Sequence, residues 1–325
     1  MVISKTPFRM SFFGGGTDFS QYYEEFGGSV LSATFNKYCF VTVRDFPPFF
    51  DHKNQFTYSK IERFDSPDEL SHPLVRECLK HLHEQNIQIS YDADLPARTG
   101  IGSSSSFAVG LLNSIHTLRG RYTDKKMLSK EAIFLERELC REHGGIQDQI
   151  AAAYGGFNRI DFDKNGFSVS PVRISDERLR ELNSTLMLFF SGQSRISGEI
   201  AKEQTSNISV NINTLHKMKE LVDEGERILE GNGELSLFGE LLHESWMMKT
   251  TLASNITTDR INSIYETARN NGALGGKLLG AGGGGFLLLY VPERYQGKVR
   301  TALEDYMYVP FSFENDGTKI LYSKL

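Results

Sequence analysis

A chain of 325 residues, 39% hydrophobic and 24% charged, is long enough for two folded domains about a cleft, and its net charge of −5 excludes the basic stripe of a nucleic-acid binder. The N-terminus lacks the apolar segment of a signal peptide, and the longest apolar runs (LMLFF from Leu186, FLLLYV from Phe286) are far too short to span a bilayer. Cys39, Cys78 and Cys140 are odd in number and in no CxxC pair, so the expectation is a cytoplasmic protein with reduced thiols, no membrane contact and no zinc site.

In chain order, the first feature is PFRMSFFGGGTD, Pro7 to Asp18, a strand that runs into three glycines and a carboxylate. Such backbone can approach a polyhydroxylated ligand closely while Asp18 accepts hydroxyl hydrogen bonds, although a bulge with a structural aspartate would look the same. Val30 to Asp45 is rich in β-branched and aromatic residues, and Gln55 to Ser59 and Ile87 to Tyr91 alternate; all three read as strands, with helical spacing from His72 to Glu84.

The most informative stretch is LPARTGIGSSSS, Leu95 to Ser106, which leads at once into an apolar helix to about Leu118. Gly100 and Gly102 permit tight turns, the serines supply hydroxyls, and the helix contributes free N–H groups and a positive dipole end, a combination suited to phosphate. No GxxxxGK[ST] occurs, and no GxGxxG follows a strand here, so it is neither a Walker loop nor a dinucleotide fingerprint. A plain serine N-cap behind a glycine turn is the competing reading.

Ser129 to Arg141 is amphipathic, and ERELCREHGGIQDQ, Glu136 to Gln149, reads as a helix carrying a carboxylate that ends at Gly144-Gly145 before a new helix with Asp148 in its first turn. Gly155 to Phe162 and Phe167 to Ile174 look like strands joined by a turn at Asp163 to Gly166. A second half opens near Asn183 with a strand, followed by helices at Ile196 to Gln204, Ile208 to Glu230, Leu235 to Leu252 and Thr258 to Asn270. In GGKLLGAGGGGFLLL, Gly275 to Leu289, the glycines exclude side chains, as expected where another loop or a phosphate packs directly. A helix at Arg294 to Tyr306 and a hairpin from Phe311 to Ser323, turning at Asn315 to Gly317, complete an α+β chain of two domains, 1–180 and 181–325.

Arg9 to Asp18, Pro96 to Ser106 and Leu279 to Phe286 resemble, in order and spacing, the three motifs of the GHMP kinase superfamily, and the resemblance covers nearly the whole chain. RMSFFGGGTD, GIGSSSS, GGIQDQIAAAYGGFN and GGKLLGAGGGGFLLLY are most similar to its bacterial heptose phosphate kinases, with the fucokinase kinase domain as the nearest rival. The resemblance implies an N-terminal domain like domain 2 of ribosomal protein S5 and a ferredoxin-like C-terminal domain, with ATP and a small sugar phosphate in the cleft. It implies that Gly100, Ile101, Gly102, Ser103, Ser104, Ser105 and Ser106 hold the nucleotide phosphates, that Ser104 and Glu136 ligate Mg²⁺, that Asp148 is the base and that Arg9 orients it. Gly15, Gly16, Thr17 and Asp18 would meet the sugar, and Gly280, Gly282, Gly283 and Gly284 would support the phosphate loop. Galactokinases carry Glu and His where this chain has Gly15 and Gly16, which implies a roomier sugar end.

An acceptor that already bears phosphate needs a cation. Ser194 and Arg195, opening the helix after the first strand of the second half, are the expected pair, with Lys37 and Arg98 as fallbacks. The sequence accommodates a homodimer as readily as a monomer.

Overall fold

The computed structural model describes residues 1–192 and 197–324. Its backbone is organised by β2 (Gly28–Asp45), eighteen residues dominated by β-branched, small and aromatic side chains, which pairs antiparallel along one edge with β1 (Val2–Phe13). Its other edge is shared by three partners in succession: β6 (Phe157–Asp163), β12 (Phe313–Glu314) and β5 (Ile87–Ala93). With β3 (Asn54–Thr57), β4 (Ile61–Phe64), β7 (Gly166–Pro171) and β13 (Lys319–Ser323), the sheet has nine strands. A second, antiparallel sheet has the order β11 (Met307–Tyr308), β8 (Leu186–Phe190), β10 (Phe286–Tyr290), β9 (Gly275–Leu278).

Helices α1 (Ser20–Phe26), α2 (Pro73–Leu82), α3 (Ser103–Leu118), α4 (Lys125–Phe134) and α5 (Gln147–Tyr154) accompany the first sheet, with α3 packed on β1 and β2. A connecting α6 (Asp176–Thr185), started by Ser175 accepting from the Arg178 amide, was absent from the sequence expectation. Around the second sheet lie α7 (Ser197–Ser206), α8 (Ile212–Glu230), α9 (Ser236–Thr250), α10 (Asp259–Asn270) and α11 (Glu293–Ala302). Among the described residues no helix is long and apolar enough to cross a membrane.

Two expectations need correction. The segments expected to form a terminal hairpin do not pair with each other: β12 adds to β2 and β13 lies along β1, so 181–325 contributes to both sheets. The helix expected at Ser129 to Arg141 leaves the α form after Phe134 and becomes a π-helical turn over Leu135–Leu139.

The two halves share one core. Phe12 stacks on Phe157 at 5.1 Å between centroids and meets Phe238 of α9 edge-on at 5.4 Å, and Gly225 lets α8 come so near β1 that a Cβ there would stand 2.6 Å from the Phe13 ring. The cleft between the halves therefore has a fixed floor.

Candidate active site

The cleft is a cavity of about 1120 Å³ that reaches from an aromatic end, with Tyr58, His72, Tyr91 and Phe107, to a charged floor. At its centre α3 begins behind Gly102, whose φ of +74° turns the chain and whose carbonyl accepts from the Ser106 amide. The amides of Ser103, Ser104 and Ser105 are the unsatisfied donors that every helix start leaves, and no side chain caps them. The serines are thus not here as N-caps, and the helix head is open to an anion.

The loop is shaped by backbone against backbone. A Cβ on Gly100 would stand 2.2 Å from the Leu279 carbonyl oxygen, one on Gly280 2.3 Å from the Gly100 Cα, and one on Gly285 2.2 Å from the Thr99 oxygen. The Phe286 amide also donates to Thr99 O at 3.2 Å. Gly282, which a Cβ would drive into Ile256, and Gly283, whose amide donates to Ile256 O, fasten the glycine loop from behind; Gly284 is buried beside them. Two sequence-distant glycine segments therefore lock together at the phosphate loop.

Arg9, on β1, spans this loop and the start of α5. Its Nε and Nη2 each donate at 2.7 Å to one oxygen of Asp148, and its Nη1 donates at 2.6 Å to the Gly100 carbonyl. The two-point pairing fixes the carboxylate plane, as a guanidinium fork does and an ammonium cannot. Asp148 lies at the head of α3 as well, because a Cβ on Gly102 would be 3.5 Å from its Oδ2.

Glu136 sits in the π-helical turn, a local distortion common at functional sites. It is buried and accepts on Oε2 from Ser105 Oγ at 2.7 Å and from the Gln149 side chain, which leaves Oε1 without a hydrogen-bond partner among the described residues while Glu136 lines the cavity. Ser105 is the serine that hydrogen-bonds Glu136, and Ser104, expected on the metal, is exposed and lines the cavity. A carboxylate with a free oxygen beside hydroxyls fits a hard cation such as Mg²⁺. No cluster of three His, Cys, Asp or Glu suited to a metal occurs among the described residues, so further ligands would have to come from nucleotide and water.

On the acceptor side Asp18 is 2% exposed and receives the Gly16 amide at 3.0 Å, the Gln147 side-chain amide at 2.9 Å and the Gln147 backbone amide at 3.3 Å. Burial nevertheless holds its carboxyl above the usual carboxylate range. Gly145 is needed here, since a Cβ would fall 1.8 Å from Asp18 Oδ2. Gly15 and Gly16 line the cavity with Asp18.

Several expected residues take other roles. Thr17 is fully buried, its hydroxyl donating to Gly14 O and Ser29 O and accepting from the Ser29 amide; it closes the turn and does not line the cavity. Ser106 donates to Pro7 O, and Ile101 is buried with its carbonyl accepting the Arg9 amide; both brace the loop from inside. Arg98 lines the cavity whereas Lys37 does not, and Ser194 and Arg195 lie outside the described residues.

Sequence reasoning missed Gln147, Lys249 and Lys277. Gln147 adjoins Asp148 in a motif already singled out, and Lys277 sits inside the glycine segment, so both were within sight. Lys249 follows Trp246-Met247-Met248 on α9, where nothing in the local pattern distinguishes it from a helix-surface lysine, yet it is 7% exposed and lines the cavity.

Comparisons with known proteins show the family. The family model described as GHMP kinases N terminal domain matches residues 73–156, and that described as GHMP kinases C terminal matches 219–309. The chain is 28% identical, over 98% of both sequences, to the D-glycero-alpha-D-manno-heptose 7-phosphate kinase of Campylobacter jejuni. It is 31% identical to the L-fucokinase/L-fucose-1-P guanylyltransferase of Bacteroides fragilis, across 69% of this chain but 24% of that larger protein. A crystal structure of a D-glycero-D-manno-heptose 1-phosphate kinase from Bacteroides thetaiotaomicron superposes with a TM-score of 0.82 at 25% identity, covering 100% of each chain.

Proposed function

This chain belongs to the GHMP kinases, and from that premise we propose that it uses ATP to phosphorylate the anomeric hydroxyl of D-glycero-D-manno-heptose 7-phosphate, giving the 1,7-bisphosphate for nucleotide-activated heptose and surface glycans. The observation that carries the reading is the fixed pair of Arg9 and Asp148 at the open head of α3, where a base and a phosphate site face one space. The two heptose kinases named above differ in which phosphate their substrate carries. The 7-phosphate is favoured by the relative of higher identity, 28% against 25%, and the open space at Gly15 leaves room for a sugar longer than a hexose.

In the proposed reaction the amides of Ser103 to Ser105 hold the nucleotide phosphates and Asp18, itself oriented by Gln147, accepts from sugar hydroxyls. Each Asp148 oxygen keeps a lone pair beyond its bond to Arg9, so it can take the proton of the attacking hydroxyl while Arg9 keeps the carboxylate aimed. Arg9 reaches the phosphate loop with its third donor, so the same side chain sets the distance between base and phosphoryl donor. Glu136 and Ser105 would hold Mg²⁺, which supplies positive charge to the phosphate oxygens when the nucleotide is bound. The aromatic end of the cavity would take the adenine. A substrate pool of ATP and three free thiols suit the cytoplasm.

The test is ATP consumption over a panel of hexoses, heptoses and their phosphates, with NMR locating the new phosphate. The heptose 7-phosphate should be preferred and the product should carry phosphate at C1. A strong preference for unphosphorylated fucose would move the acceptor to the fucokinase type, and no ATP consumption with any sugar would defeat the kinase reading.

A further inference from the structure

Two lysines lie buried on the cleft floor, 7% exposed at Lys249 and 2% at Lys277, and both line the cavity. Lys277 Nζ donates at 2.7 Å to Phe12 O and so ties β9 to β1 across the two halves. Lys249 Nζ donates to Leu278 O at 3.0 Å and to Gly280 O, the residue whose Cα packs on Gly100 of the phosphate loop. An ammonium has three donors, and carbonyls occupy two of those on Lys249. The third N–H has no hydrogen-bond partner among the described residues, and Lys249 lines the same cavity as Arg9 and Asp148.

We propose that Lys249 is a further catalytic residue, whose ammonium meets the phosphoryl group as it passes from the nucleotide to the acceptor hydroxyl. The proposal rests on the kinase reading given above. In the transfer, the bond from the β-γ bridging oxygen to the γ-phosphorus breaks, a bond from the sugar oxygen to that phosphorus forms, the hydroxyl proton passes to Asp148, and ADP leaves. Lys249 makes and breaks no covalent bond; it matches charge on the equatorial oxygens, work that a Walker loop assigns to its own lysine.

The free cleft is poised for such a ligand. Among the described residues the hydrogen bonds of Lys249 go only to carbonyls, and the charged groups that act on it are Arg9 from β1, Lys277 from β9 and Asp18 beyond β1, with the Trp246 ring on its own helix 5.9 Å away. Burial first, and then the positive charge of Arg9, pull its ammonium down to about 7, against the opposing charge of Asp18. A γ-phosphoryl group placed against it restores the charged form, so nucleotide binding takes up a proton.

Titration calorimetry of the whole protein at pH 7.5 with Mg²⁺, in buffers of differing ionisation enthalpy, tests this without any substitution. ATPγS should take up about half a proton or more beyond ADP. In Lys249→Met that difference should vanish with ADP affinity within about twofold of wild type, and kcat should fall about 10²-fold, a split that a merely structural clamp would not produce. Equal proton uptake with the two nucleotides, or a difference that survives in Lys249→Met, overturns the assignment. ATPγS that fails to bind the wild-type protein, by contrast, overturns the kinase reading itself and this inference with it.

Discussion

The phosphate side and the acceptor side of the cleft are built from different materials. On the phosphate side, main chain meets main chain at Gly100, Gly280 and Gly285, and the ligand would be held by amides at the head of α3. On the acceptor side, single side chains from separate elements converge: Asp18 after β1, Gln147 on α5, Lys249 on α9 and Lys277 on β9. Backbone surfaces are rigid, whereas converging side chains can be exchanged one at a time, so substitutions should act differently on the two sides.

The largest effect should come at the seam between them. Asp148→Asn removes the proton acceptor and leaves the nucleotide phosphates' donors untouched, so kcat should drop by about 10²–10⁴-fold with nucleotide affinity retained, measured by steady-state kinetics and calorimetry. Wild-type turnover in that variant would break the assignment.

Glycine substitutions separate the two sides next. Gly100→Ala forces a Cβ into the Leu279 carbonyl at a φ of +81° and should cost about 2–4 kcal/mol in urea unfolding. At Gly15, where a Cβ meets nothing nearer than 3.9 Å, alanine should change stability by about 0.5 kcal/mol or less while raising the acceptor KM. Equal stability losses would erase the distinction.

A smaller contrast is predicted within the serine run. Ser105→Ala leaves Glu136 short of a hydrogen bond and should raise the Mg²⁺ concentration needed for half activity by about tenfold, while Ser104→Ala should leave it within about twofold. The reverse pattern would restore Ser104 as the metal-side hydroxyl.

A last contrast is in the pH dependence of stability. With its folded-state value near 7 against an ordinary 10.5, Lys249 holds fewer protons in the folded protein than in the unfolded chain across that interval. Its cost to stability is therefore full below pH 7 and fades as pH rises, so wild type should gain on Lys249→Met between pH 6.5 and pH 9, read from paired urea titrations. A constant gap would mean that the lysine stays charged in the free protein.

The same division decided what the sequence disclosed. GIGSSSS and LLGAGGGG announce themselves because close backbone contact demands glycine, and the turn at Asp163 to Gly166 and the long β2 follow from local composition. Lys249 was hidden because the first carbonyl it meets lies 29 residues further on, and which of four adjacent serines meets Glu136 depends on the direction the helix gives each. The terminal hairpin went wrong for a related reason. Asn315 to Gly317 is a good turn, but the edges of β1 and β2 offered longer partners than either short strand could offer the other. The π-helical turn at Leu135–Leu139 leaves no mark in the amphipathic pattern, although it is what sets Glu136 toward the cavity.

The account's central claim, that phosphoryl transfer occurs between the head of α3 and Asp148, is tested most directly by a crystal structure with ATPγS and the heptose phosphate bound together. It predicts nucleotide phosphate oxygens on the amides of Ser103 to Ser105 and the anomeric oxygen within about 3 Å of an Asp148 oxygen, in line with the γ-phosphorus. A nucleotide bound elsewhere, or an anomeric oxygen out of reach of that carboxylate, would contradict it.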